Sequence, residues 1–297
     1  MKIIENINVQ QEKLSSGLSV ALRICRQINK SPDEEDIVDF SHAKFVTPTF
    51  IMSVLIYIEK SGKNICLDHV EGYLSSVCLD KFGVNSGAMR KSEFAAYLEQ
   101  FVQKRYIPLI KFPATNDRIE DKNSIMSVIE SMIVRQAGLR QNIISGIKYM
   151  LGEIVDNISE HSKSEYGYIL AQCYPTSRCI DVCIGDAGIT LLGSYSQIPK
   201  WDIDSDGEAM RAANSGISAK NLPDAENRGY GISTTKKMLV DGMGGQYMMV
   251  SGDTVYVKTK AGSGYFELPY GIRFEGTIVA LRIPYWNEDF EYVNYIE

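Results

Sequence analysis

Histidine is scarce in this 297-residue chain, cysteine never pairs at short spacing and basic residues never cluster, and each shortage removes a class of function. The three histidines, His42, His69 and His161, stand singly. Only Cys66-Leu67-Asp68-His69 has the spacing of a metal-ligand pair, and no second pair follows it, so a structural metal site is not expected. The six cysteines lie in apolar contexts with no Cys-x-x-Cys, which reads as buried, reduced thiols of a cytoplasmic protein. Lys and Arg number 31 against 37 Asp and Glu, for a net charge of −6 and a pI near 5.3. Such a chain does not attract nucleic acid or anionic lipid, and neither is expected as a partner. No run of about eighteen apolar residues could span a bilayer, and Met1-Lys2-Ile3-Ile4-Glu5-Asn6 lacks the apolar centre of a signal peptide. A soluble cytoplasmic protein is the expectation.

What is present is enough apolar residue, 44%, for a sizeable core, and enough length for two domains. Strand-like Ile37 to Phe40 and Asn64 to Leu67 alternate with helical Phe50 to Lys60 and Glu71 to Lys81. This predicts a small α/β domain over residues 1–95. Residues 96–137 are helical in pattern but interrupted by Pro108, Pro113 and a polar stretch, and read as a helical linker. Residues 138–297 form the second domain. Its longest helix runs from Leu139 to His161, with Ile144, Ile147, Leu151, Ile154 and Ile158 stepping by three and four. Short strands rich in β-branched and aromatic residues follow at 167–172, 179–185, 246–251, 254–259 and 277–283, an α+β pattern. The polar segment from Thr190 to Arg228 is long for a compact domain and suits a mobile lid.

Four places in the second domain could carry chemistry. Glu153 and Asn157, one helical turn apart, flank the apolar stripe, where they could border a pocket or simply face solvent. Asp186-Ala187-Gly188 directly follows a strand, so Asp186 could accept a hydrogen bond from an exocyclic amine, or the triplet could be an ordinary turn. Arg228-Gly229-Tyr230-Gly231 leads into a helix and could cradle phosphate with backbone amides, although the Gly-Lys-Ser/Thr of a Walker A loop is missing. Gly276-Thr277 opens an apolar strand, where the threonine hydroxyl could bond a base directly or through water.

In order and spacing these places resemble the GHKL superfamily of gyrase, the large heat-shock chaperones, histidine kinases and MutL. Glu153-Ile154-Val155-Asp156-Asn157 resembles its N-box, Asp186-Ala187-Gly188 its first glycine box, Gly229-Tyr230-Gly231 its second, and Gly276-Thr277 the Gly-Thr before the terminal strand. Thr190, where the first box usually has another glycine, departs from the pattern. The resemblance implies a two-layer α/β sandwich, a mixed sheet covered by helices, that binds ATP with Mg2+. It implies that Asn157 holds the magnesium, Glu153 activates the attacking water or hydroxyl, and Asp186 and Thr277 read the adenine. Gly188, Arg228, Gly229 and Gly231 would complete the nucleotide site, with slow hydrolysis or Ser/Thr phosphoryl transfer as the activity. A nucleotide-gated interaction switch with a protein partner or a second copy is the alternative. His161 just after the N-box reads as a surface or capping residue. Ile37-Val38-Asp39-Phe40 and Val46-Thr47-Pro48-Thr49-Phe50 resemble a STAS-like domain, in which Thr47 and Thr49 either accept phosphate or cap the helix that follows.

Overall fold

The computed structural model describes residues 2–4, 7, 13–43, 45–217, 230–285 and 290–296. It is an α+β protein, with β1 (Lys2–Ile4), α1 (Ser16–Lys30), β2 (Glu35–Asp39), α2 (Pro48–Lys60), β3 (Asn64–Asp68) and α3 (Tyr73–Ser76) first. Next come β4 (Val84–Asn85), α4 (Lys91–Glu99), β5 (Tyr106–Pro113), α5 (Ile119–Ala137), α6 (Gln141–His161), β6 (Tyr166–Tyr174) and β7 (Cys179–Asp186). The chain continues through α7 (Leu191–Tyr195), α8 (Asp206–Asn214), α9 (Tyr230–Lys236), β8 (Gln246–Gly252), β9 (Thr254–Thr259), β10 (Gly262–Glu267) and β11 (Phe274–Pro284). Three parallel strands form one sheet in the order β1-β2-β3, and eight form a mixed sheet in the order β10-β9-β8-β11-β7-β6-β5-β4.

Helix α2 lies between α1 and the large sheet. Every residue from Pro48 to Ile58 is buried, because α1 packs on one side of it and strands β11, β7 and β6 on the other. A helix apolar all round can be stable in water only when it is enclosed in this way. Thr47 starts the helix, its hydroxyl accepting from the Phe50 amide at 3.4 Å, with Pro48 in the first turn where its missing N–H costs nothing. Thr47 and Thr49 are 2% and 0% exposed; Thr47 caps the helix, whereas Thr49 lies within it and its hydroxyl makes no hydrogen bond. On the opposite side of the large sheet α6 lays down its apolar stripe, and β7, covered on both faces, is buried at every position.

Several expectations need correction. Residues 96–137 are not a linker of helices alone: within them β5 pairs antiparallel with β6 and α5 packs on β5. A boundary at residue 137 therefore cuts through the large sheet, and one hydrophobic core runs from Ile3 to Phe290. The register of β5 shifts between Ile107 and Ile110, which is where Pro108, lacking an N–H for the ladder, is tolerated. The helix expected over 71–81 is broken into α3 and a short turn at Leu79–Lys81, because Cys78 and Phe82 adopt left-handed backbone angles. Cys66 is exposed, whereas the other five cysteines are buried. The segment expected to be a lid, 190–228, contains α7 and α8, and its residues 218–228 lie outside the described residues. No helix among the described residues is long and apolar enough to cross a membrane.

Candidate functional site

Strand register places the polar ends of β7, β11 and β8 side by side: Thr277 lies opposite Asp186 on one flank and opposite Ser251 on the other. Side chains alternate along a strand, so Asp186, Ile184, Thr277, Val279 and Met249 share the sheet face that looks toward α6. Between that face, α6, the α7–α8 segment and the start of α9 lies a cavity of about 250 Å³. Its wall brings together Glu153, Asn157, Asp186, Gly231 and Thr277, contributed by four separate stretches of chain. His161, expected as a surface or capping residue, borders the same cavity.

Asp186 is 1% exposed. Removal from water pushes its pKa up to about 7, against the opposing pull of hydrogen bonds from the Gly188 and Thr277 amides and of the Lys60 charge. The Gly188 amide donates to Oδ1 at 2.9 Å. Gly276 adopts φ +120°, and a Cβ there would stand 2.1 Å from the Asp186 carbonyl oxygen, so only glycine lets the two strands meet at this point. Ser251, which the sequence marks only as the end of a strand, completes this corner. Its hydroxyl donates to the Gly276 carbonyl at 2.8 Å and accepts from the Leu191 amide at 3.0 Å, tying the start of α7 to the sheet.

On α6 the Glu153 carboxylate lies against Gly231, where an added Cβ would sit 1.9 Å from Oε2. The Tyr149 phenol is held above its usual pKa by burial and then by the Glu153 charge beside it. The first turn of α9 therefore stands next to the carboxylate at the other end of the cavity from Asp186. Asp156, also on the cavity wall, accepts from the buried Lys122 ammonium of α5 at 2.6 Å. Segment 96–137, expected to be a connector, thus supplies a cation at the margin of the site. Arg228 and Gly229 lie outside the described residues.

Gly188 is not part of the cavity wall among the described residues. It passes against the end of α6, where a Cβ would meet the Ser162 carbonyl oxygen at 2.0 Å, and the next amide, Ile189, donates to that same oxygen at 2.7 Å. A side chain at this position is excluded sterically. Gly188→Ala should cost about 1–3 kcal/mol of stability, because a backbone carbonyl cannot swing aside as a side chain can. Equilibrium urea unfolding checks this, and a variant as stable as the parent would mean that the α6 terminus is softer than drawn.

The chain matches no protein-family model and no curated protein. Function has to be argued from the cavity itself.

Two further clusters are structural. The start of α8 is clamped where Arg273 pairs with Asp206, whose Oδ2 also accepts from the Asp253 amide at 3.1 Å. At the carboxyl ends of β2 and β3, Asp39, Asp68 and His69 offer three ligand atoms within 4.8 Å of one another. The Lys2 ammonium stands 2.8 Å from Asp39 and 3.5 Å from Asp68, so a side-chain cation already serves those carboxylates.

Proposed function

We propose that this chain is a Mg-ATP-binding regulatory protein of the GHKL type with a STAS-like N-terminal part, hydrolysing ATP slowly or passing its phosphoryl group to a serine or threonine. The observation that carries the reading is the shared cavity. Residues picked out far apart in the sequence, Glu153, Asn157, Asp186, Gly231 and Thr277, border one cavity with an apolar middle and polar ends. A buried carboxylate with two backbone donors fixing its orientation is suited to receive an exocyclic amine, and Ile184, Met249 and Val279 offer flat apolar contact to a purine. Asn157 supplies an oxygen of the kind magnesium takes, and that ion would neutralise phosphate charge. Glu153, one turn earlier on α6, is placed to accept a proton from water or a hydroxyl, and amides at the start of α9 would face phosphate oxygens.

A second reading, a non-catalytic switch gated by nucleotide, has one observation in its favour. Met52 of α2 reaches to within 3.3 Å of where a Cβ on Gly185 would be, directly behind Asp186, so α2 touches the strand that carries the amine-binding carboxylate. Mixing the protein with ATP labelled in the γ-phosphate separates the readings by where the label goes: into free phosphate, onto a protein, or nowhere. Glu153→Gln should lower phosphate release by about 10²- to 10⁴-fold while ATP affinity stays within a few-fold. Unchanged release would remove Glu153 as the base.

A further inference from the structure

Six described residues carry a buried side-chain oxygen with no hydrogen-bond partner, and two of them, Thr235 and Tyr247, belong to the wall of the cavity. They are 0% and 1% exposed. A desolvated hydroxyl without a partner is unfavourable, so a pair of them on one cavity wall points to a polar group that arrives with a ligand.

Their place in the fold says which part of the ligand. Thr235 follows Gly231 by one turn of α9 and so lies on the same side of that helix. Tyr247 precedes Ser251 by four residues on β8, about 13 Å along the strand from the Asp186 corner. Between the two ends the sheet face is apolar at Ile184, Met249 and Val279. The floor therefore runs from a carboxylate, across a flat hydrocarbon stretch, to two hydroxyls. That succession suits an amine-bearing base joined to a hydroxylated sugar.

Resting on the reading of the cavity as an adenine-nucleotide site, we propose that Tyr247 and Thr235 form its sugar subsite, exchanging hydrogen bonds with the 2′- and 3′-hydroxyls of a ribonucleotide. The cavity then selects ribonucleotides over nucleotides that lack those hydroxyls. Neither residue takes part in phosphate chemistry, and both act on binding alone.

Calorimetric titration of the full chain with ATP and with 2′,3′-dideoxy-ATP tests this, using the parent, Tyr247→Phe and Thr235→Val. The parent should bind ATP about tenfold more tightly than the dideoxy nucleotide, and each variant should lose about tenfold toward ATP while keeping its affinity for the dideoxy form. Without ligand both variants should melt at or above the parent's temperature, since each removes an unpartnered hydroxyl, and this separates lost binding from lost folding. Equal affinity of the parent for both nucleotides overturns the sugar subsite, as do variants that weaken both nucleotides alike or neither; the last result would mean that trapped water satisfies the hydroxyls. A parent that binds neither nucleotide overturns the adenine-nucleotide reading itself.

Discussion

Asp186→Asn should weaken ATP binding by roughly 10- to 150-fold, the worth of a hydrogen bond to a charged group in a buried site. The carboxylate is already approached by two backbone donors, the Gly188 and Thr277 amides, and its remaining acceptor capacity faces the cavity. An asparagine has one oxygen and one NH2 group, so it must turn a donor either toward a backbone N–H or toward the ligand's amine. Both arrangements are repulsive. The substitution has an opposite effect on the empty protein. Burial raises the folded pKa of Asp186 from 3.8 to about 7, so its contribution to stability is fully present below about pH 4 and is lost as pH rises through 7. At pH 8 the parent carries a buried charge that Asp186→Asn does not, and the variant should be the more stable of the two. Affinity follows the reverse course, because an amine donor prefers the ionised form. Binding of adenosine, whose uncharged sugar adds no titration of its own near neutrality, should be about tenfold weaker at pH 6 than at pH 8. That dependence should vanish in Asp186→Asn. A parent whose affinity is flat from pH 6 to 8 would remove Asp186 from the ligand's contacts.

How much of this could be read from the chain depended on whether the signal was local. The α6 stripe from Ile144 to Ile158 is a periodicity, and the helix it implied matches Gln141–His161 closely. The strands flanking the cavity were legible for the same reason, as were Asp186 and Gly276, whose neighbours need tight turns and close strand approach. Strand β5 was hidden because Pro108 normally argues against a sheet, and only the partner β6 reveals the register shift that accommodates it. Helix α1 carries a local signal too, with Leu18, Ala21, Cys25 and Ile28 stepping by three and four; what the sequence hid is its close approach to α2, where a Cβ on Gly17 would meet the Thr47 hydroxyl at 2.3 Å. Thr235 and Tyr247 had no signal at all. A tyrosine in a strand and a threonine in a helix are ordinary until tertiary packing leaves their hydroxyls without partners.

Domain organisation has the same origin. An apolar run such as Phe50 to Lys60 reads as a helix of its own small domain, yet its length of buried surface exceeds what three strands and one helix can cover. The large sheet covers the rest, through the face opposite the cavity. Helix α2 packs on β7 within one residue of Asp186, so a shift of α2 would reach the cavity wall through direct packing and needs no hinge.

That same hidden face carries the second large effect. Arg282 and Asp181 stand directly opposite each other on β11 and β7, with Nε and Nη2 donating to the two carboxylate oxygens at 2.7 and 2.8 Å. Their side chains are 9% and 2% exposed, and they share the parity of Gly185, which faces α2. Arg282→Met should cost about 3–5 kcal/mol in urea unfolding, chiefly because it strands a buried carboxylate. Asp181→Leu combined with Arg282→Met should recover most of that loss, since no charge is left without a partner. The pH dependence carries its own sign. Burial already holds the Asp181 pKa above the usual carboxylate range despite the guanidinium, and without Arg282 it should rise further. A folded pKa above the unfolded one means that stability is present at low pH and lost as pH rises through the folded value, so the deficit of Arg282→Met should shrink between pH 8 and pH 5. Because the pair lies on the far side of the sheet, ATP affinity measured well below the melting temperature should stay near that of the parent. A deficit that grew on acidification, or a double variant no better than the single, would show that the ion pair is not what holds this face together.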